Sequence, residues 1–169
     1  SYGFLLLGGI IGLINLLLIG FSQPKSKDRI LSLVKEMSYI SEMTLIGGLV
    51  MLSVGTYLGG VWANESWGRY WGWDAKETWA LVSILVYAFI LHMRLIPGLR
   101  GFFAFNFASL FGLSSIIMTY FGVNYYLSGL HSYAAGDPIP VPNWVYVSAA
   151  FLALISAFAY FKKKRLKQF

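Results

Sequence analysis

The chain has 169 residues, 57% hydrophobic and only 12% charged. Soluble domains carry about a quarter charged residues, so this composition excludes an ordinary soluble fold and points to a membrane protein. The net charge of +6 does not signal nucleic acid either: eleven of the thirteen basic residues lie in 22–43, at Arg94 and Arg100, or in the last eight positions, where basic residues set membrane topology.

About 20 apolar residues cross a bilayer as a helix, and five stretches reach or approach that length: 2–21, 44–61, 78–96, 102–122 and 144–161. The runs are continuous rather than alternating, which favours helices over a barrel, since a spanning backbone must satisfy its own hydrogen bonds. The expected fold class is an all-α integral membrane protein, a bundle of about five transmembrane helices with a Trp-rich outer loop.

The first run begins directly after Ser1, with no initiating Met and no basic leader, and suggests a piece of a longer chain. Its Gly8, Gly9 and Gly12, like Gly59 and Gly60 in the second run, are candidates for close helix packing. Residues 22–43 are expected to be a basic cytoplasmic loop in which 30–40 (ILSLVKEMSYI) forms a short helix on the headgroups. Three regions follow: 1–43, the first span and cytoplasmic loop; 44–143, a core of three spans with the segment 61–81 and an outer loop 123–143; and 144–169, the last span and basic tail.

Five spans place the two ends of the chain on opposite sides. Apart from the eleven basic residues, only Arg69 and Lys76 fall on the other side, so the basic C-terminus is expected in the cytoplasm and 62–77 and 123–143 outside. Within 136–143 (GDPIPVPN), the prolines suggest an extended entry to the last span.

Five of the six tryptophans lie between positions 62 and 79, in VWANESWGRYWGWDAKETWAL, residues 61–81. An interfacial belt explains one or two such residues per interface. The density of Trp62, Trp67, Trp71, Trp73 and Trp79, with Tyr70 among them, also suits a flat apolar platform for a large planar ligand. Gly68 and Gly72 let the backbone approach such a ligand. Arg69 and Lys76 can pair with its acidic groups, while Asp74 and Glu77 hold the shape of the loop; helix caps and loop hydrogen bonds are the plainer reading of Glu65, Asp74 and Glu77.

Only two histidines occur, His92 in FILHMRL and His131 in GVNYYLSGLHSYAAG. Neutral imidazole is a common axial ligand of haem iron, and a polar side chain in a span is by default a functional hypothesis. The plainer readings are an interfacial anchor for His92 and a loop residue for His131. His92 falls ~20 Å below the outer surface on a helix rising ~1.5 Å per residue, so the two cannot ligate one iron. The absence of cysteine excludes a disulfide framework and a thiolate site, and any thiol must come from a partner.

The stretch WANESWGRYWGWDAKETWAL resembles the WWD signature of haem-handling proteins in cytochrome c biogenesis, a superfamily with CcmC, CcmF and CcsA types. LHMR at 91–94 and GVNYYLSGLHSY at 122–133 narrow the likeness to the CcsA type, also called ResC and fused to its partner in CcsBA. The likeness runs from about residue 44 to 133 and implies the C-terminal portion of a cytochrome c synthase, a haem lyase of the inner (plasma) membrane with its WWD segment on the periplasmic face.

The family holds haem b (iron protoporphyrin IX) between two outer histidines flanking the signature, and again on a pair of histidines within the membrane. His131 matches the second outer histidine and His92 the membrane histidine after the signature. The first outer histidine is absent here, and the second membrane one is expected in the partner half. The implied reaction joins both haem vinyl groups to the thiols of a Cys-x-x-Cys-His segment of apocytochrome c. The implied partners are that segment, a CcsB/ResB-type partner or fused N-terminal half, and the lipid bilayer, with no nucleic acid.

The implied binding set is His92, His131, Trp62, Trp67, Trp71, Trp73, Asp74 and Arg69, with both histidines as iron ligands and His131 the ligand at the catalytic position. Trp67, Trp71 and Trp73 orient the vinyl edge, His131 is exchanged for the substrate's histidine, and His92 holds haem in transit. A haem exporter or chaperone without attachment activity (CcmC-like) and a structural subunit with a thick aromatic belt are the alternatives.

Overall fold

A computed structural model describes residues 1–127, 129–130 and 140–166. Among these the chain forms α1 (Tyr2–Gly20), α2 (Lys27–Trp67), α3 (Ala75–His92), α4 (Phe102–Ile117), α5 (Val123–Tyr126) and α6 (Asn143–Leu166). Short 3-10 turns at Pro24–Ser26 and Met93–Leu95 flank α2 and α3, and a π-turn, Met118–Gly122, joins α4 to α5 without a break. There is no strand among the described residues. Five helical segments are long and apolar enough to cross a membrane: Tyr2–Gly20, Pro24–Trp67, Ala75–Leu95, Phe102–Tyr126 and Asn143–Lys164. The protein is a multi-pass membrane protein.

Residues 22–43 depart from the expected loop. After the turn at Pro24–Ser26 the chain enters α2, which runs unbroken for 41 residues through the stretch expected as a separate interfacial helix. The physical reason is twofold. No Gly or Pro occurs between positions 25 and 46 to stop a helix. The buried residues Val34, Ser38, Ser41, Leu45, Gly48 and Leu52 also form one continuous seam at spacings of three and four. Half of that seam is serine or glycine, so it packs closely without standing out in hydropathy. At ~1.5 Å per residue α2 is ~60 Å long, about twice the hydrocarbon thickness of a bilayer.

Helix α1 lies antiparallel to α2 and α4 and is the centre of the bundle. Its glycines admit neighbours: Gly8 faces Leu45, Gly9 faces Leu113, and a β-carbon at Gly12 would stand 2.7 Å from the backbone oxygen of Asn106. One core joins Leu5, Leu45, Leu52, Tyr87, Ile90, Phe105 and Ile116, and a second joins Leu16, Ile19, Val34, Leu110 and Ala159. A polar clasp interrupts the apolar packing. Asn15 donates to Asn106 Oδ1 at 2.8 Å and to Ser38 at 3.3 Å, and Asn106 donates to Ser38 at 2.7 Å. All three side chains are fully buried. Helix α6 joins the bundle through its C-terminal half, where Phe158 meets Phe21 and Tyr160 meets Phe103.

Candidate functional site

The segment 61–81 is mostly helical, because α2 extends through Trp67 and α3 begins at Ala75. Trp62 and Trp67 therefore ride on the last turns of α2, Trp71 and Trp73 on the connection 68–74, and Trp79 on α3. Gly68 ends α2 at φ +69°, its N–H donating to Asn64 O at 2.9 Å, the left-handed stop that glycine adopts without a steric penalty. Asp74 starts α3 and forms a capping box with Glu77.

Glu77 is the hub of the connection. Its carboxylate accepts the N–H of Gly72 at 2.7 Å, the N–H of Asp74 at 3.2 Å and the guanidinium of Arg69 at 3.3 Å. Arg69 in turn lies 5.8 Å over the Trp67 ring. A β-carbon at position 72 would meet that guanidinium, so a side chain there would displace Arg69 from its place beside Glu77. The indoles meet edge to face, Trp62 with Trp67 at 5.0 Å and Trp71 with Trp73 at 5.9 Å. Edge contacts leave ring faces open: Trp73 is 70% exposed and Trp62 53%. Trp73 also sits at φ +57°, the one non-glycine residue with positive φ among those described.

The rim is tied to the rest of the bundle. Asp74 Oδ1 accepts the N–H of Leu130 at 3.0 Å, and Lys76 donates to Asn124 at 3.2 Å. Beneath it, Thr119 in the π-turn bonds the carbonyl of Trp79 at 3.1 Å and the hydroxyl of Ser83 at 2.9 Å. A π-turn shifts the helix register by one residue and is frequent at functional sites; here it aims Thr119 at α3. Sequence reasoning missed Asn124, Ser83 and Thr119. The signal for Asn124 was an amide inside the aromatic run GVNYY.

His92 is elsewhere. It is the last residue of α3, ~25 Å along the helix from Ala75. It is exposed, and its Nδ1 lies 2.7 Å from Ala88 O. A carbonyl only accepts, so Nδ1 carries the proton, and in the neutral ring Nε2 is the nitrogen with a lone pair to offer a metal. The next turn is fastened: Met93 is buried, and Arg94 pairs with Glu42 of α2 at 2.8 Å. An open groove of about 480 Å³ runs between α3 and α4, lined by Val82, Leu85, Phe89, Phe111 and other apolar residues. It offers no iron ligand, and His92 lies one turn further along the same face of α3.

Trp62, Trp67, Arg69, Trp71, Trp73 and Asp74 thus gather at one end of the bundle, and His92 stands at the other. His131 lies outside the described residues. Both ends fit a porphyrin in chemistry: exposed indoles at the first and an exposed imidazole at the second. No cluster of three or more His, Cys, Asp or Glu occurs among the described residues; axial haem ligation does not need one.

Residues 1–131 match the family described as cytochrome C assembly protein. Protein NrfI of Wolinella succinogenes is 51% identical over 140 residues, which cover 83% of this chain and 15% of that protein. The cytochrome c biogenesis protein CcsA of Prochlorococcus marinus is 37% identical over 159 residues, covering 79% of this chain and 50% of the relative. That of Chlamydomonas reinhardtii is 40% identical over 136 residues, covering 79% and 37%. The chain spans half the length of these relatives or less.

Proposed function

The chain belongs to the cytochrome c assembly protein family, and from that premise we propose that it is the haem-presenting part of a membrane cytochrome c synthase. The coarse role is cytochrome c maturation, the one that its relatives named CcsA carry in their names. The finer role is to hold haem, as substrate, against the tryptophans and expose its vinyl edge to an apocytochrome.

One observation carries this reading. Glu77 and Asp74 together hold the connection bearing Trp71 and Trp73, and Asp74 also binds the N–H of Leu130, the residue before His131. The turn that carries Trp71 and Trp73 and the residue before His131 are thereby tied to the same helix start, through the Glu77 and Asp74 carboxylates of one capping box. His131 is assigned as the axial ligand there and His92 as the ligand at the other end of α3. The Arg69 guanidinium, already paired with Glu77, can donate to a haem propionate as a second carboxylate partner beside Trp67.

In the proposed reaction each substrate thiol adds across a vinyl double bond. A carbon–sulfur bond forms, the hydrogen goes to the neighbouring carbon, and nothing leaves. The chain contributes no thiol of its own, having no cysteine. Its contribution is positioning, which by itself supplies several kcal/mol in well-oriented reactions, about 7–11 at the limit.

The test is co-expression of the full-length protein with a c-type apocytochrome in cells lacking their own maturation machinery. Covalent haem on the cytochrome is read by haem stain for wild type, Trp73→Ala, His131→Ala and His92→Ala. Loss of covalent product in all three variants, with the membrane protein still present, supports the reading. Haem bound to the wild type without any covalent product would overturn the synthase role and leave a haem carrier. A colourless wild type from haem-replete cells would remove haem from the account.

A further inference from the structure

The two ion pairs among the described residues sit one at each end of α3: Arg69 with Glu77 beside the tryptophans, and Arg94 with Glu42 beside His92. The first belongs to the site above. The second joins α3 to a different helix, two residues after a histidine whose ring hydrogen-bonds the carbonyl one turn behind it.

The geometry around this second pair is specific. Glu42 is the last charged residue of α2 before the uncharged stretch 43–64. Its carboxylate meets the Arg94 guanidinium at 2.8 Å. That guanidinium lies 4.9 Å over Tyr39, 5.2 Å over Phe105 and 6.0 Å over Phe102. Arg94 is thus held by α2 and α4 together, with only about a quarter of its side chain exposed (26%). Met93 beside it is buried in the core. The last turn of a helix ordinarily frays, because its carbonyls lack partners. Here the residues directly after His92 are fixed to two other helices, so the backbone that carries the imidazole cannot drift.

We infer that Glu42 is a positioning residue for iron ligation by His92, acting through Arg94 and the turn Met93–Leu95. The inference rests on the reading of His92 as a haem ligand. A ligating nitrogen must be held to within about 0.5 Å of its productive place, and His92 has two holds: Ala88 O orients the ring, and the Glu42–Arg94 pair fixes the backbone. Groups that orient a ligand without touching the metal typically govern about 10–100-fold in metal affinity.

The experiment uses the full-length protein purified in detergent with its haem. Haem loss to excess apomyoglobin is timed for wild type, His92→Ala, Glu42→Gln, Glu42→Asp and Arg94→Lys, and thermal unfolding is recorded for each. The phase that His92→Ala abolishes is the haem held by His92. In Glu42→Gln that phase is expected to run about 10-fold faster, with a larger high-spin share in the spectrum per mole of haem. Glu42→Asp, which keeps the charge on a shorter stem, is expected to recover most of it. Were Glu42→Gln not to accumulate, Glu42→Asp and Arg94→Lys read the same quantity. An unchanged rate and spectrum in the Glu42 and Arg94 variants, with His92→Ala still abolishing the phase, overturns the inference alone. An unchanged His92→Ala overturns the ligand reading and the inference with it.

Discussion

The carboxylate of Glu77, in the first turn of α3, accepts the N–H of Gly72 at 2.7 Å, and Gly72 stands between Trp71 and Trp73. The position of two indoles is therefore set by a side chain that is not aromatic and that lies on the helix they precede. The same carboxylate holds Arg69 against Trp67, so one residue arranges both halves of the platform.

Replacing Glu77 should consequently disturb more than a helix cap. Glu77→Ala is expected to cost about 1 kcal/mol as a lost cap and to lower covalent haem transfer by more than that instability explains. Glu77→Gln, which still accepts one N–H, should fall between the two. Thermal unfolding in detergent beside the yield of covalent cytochrome checks the order.

Trp73 separates stability from function. A non-glycine residue at positive φ carries about 1–2 kcal/mol of strain, while glycine gives up about 0.5–1 kcal/mol of chain entropy there. Trp73→Gly should leave the unfolding midpoint nearly unchanged or slightly raised, yet weaken haem retention by the loss of an aromatic contact worth about 1 kcal/mol. A variant that unfolds early would mean that Trp73 is a packing residue.

Two glycines should respond in opposite directions. Gly12→Ala drives a methyl group into the Asn106 backbone oxygen and is expected to destabilise the bundle by about 1–3 kcal/mol. Gly59 has nothing within 4 Å of the space a methyl group would take, so Gly59→Ala should be neutral or stabilising by about 0.5 kcal/mol. Resistance to unfolding by SDS reads both.

The buried clasp should behave as a unit. Asn106→Leu removes the shorter of the two hydrogen bonds of the Asn15 amide and leaves the one to Ser38; it is expected to cost about 1 kcal/mol, within the range of interhelical hydrogen bonds in membranes. Asn15→Leu together with Asn106→Leu should cost less than the sum of the two single changes. A double-mutant cycle by SDS titration measures the difference, and strict additivity would show that the pair is uncoupled.

The spans were legible in the sequence because each is a long apolar run, and hydropathy needs nothing more. The tryptophans were legible by their density. The start of α2 was not, because its inner seam is built from Ser38, Ser41 and Gly48, residues that pack closely yet score as indifferent. The frame of the platform was half legible. Asp74 and Glu77 stand at the spacing of a capping box, but no spacing says that Glu77 also binds Gly72 and Arg69. His92 was legible as a polar residue near the end of a span; the Ala88 carbonyl that takes its Nδ1 proton is one turn back on the same helix, while the Glu42 that fastens its turn comes from tertiary packing alone.

The unbroken course of α2 has a consequence for how cargo can move. Glu42, next to the His92 turn, and Trp67, on the platform, are carried by one helix without a proline, about 37 Å apart along its axis. A single rod of that kind acts as a ruler. The two ends cannot approach each other by domain closure, because the distance between them is written into the number of helical turns. Any molecule passed from one end to the other must itself travel that distance, while the protein keeps its departure and arrival points still.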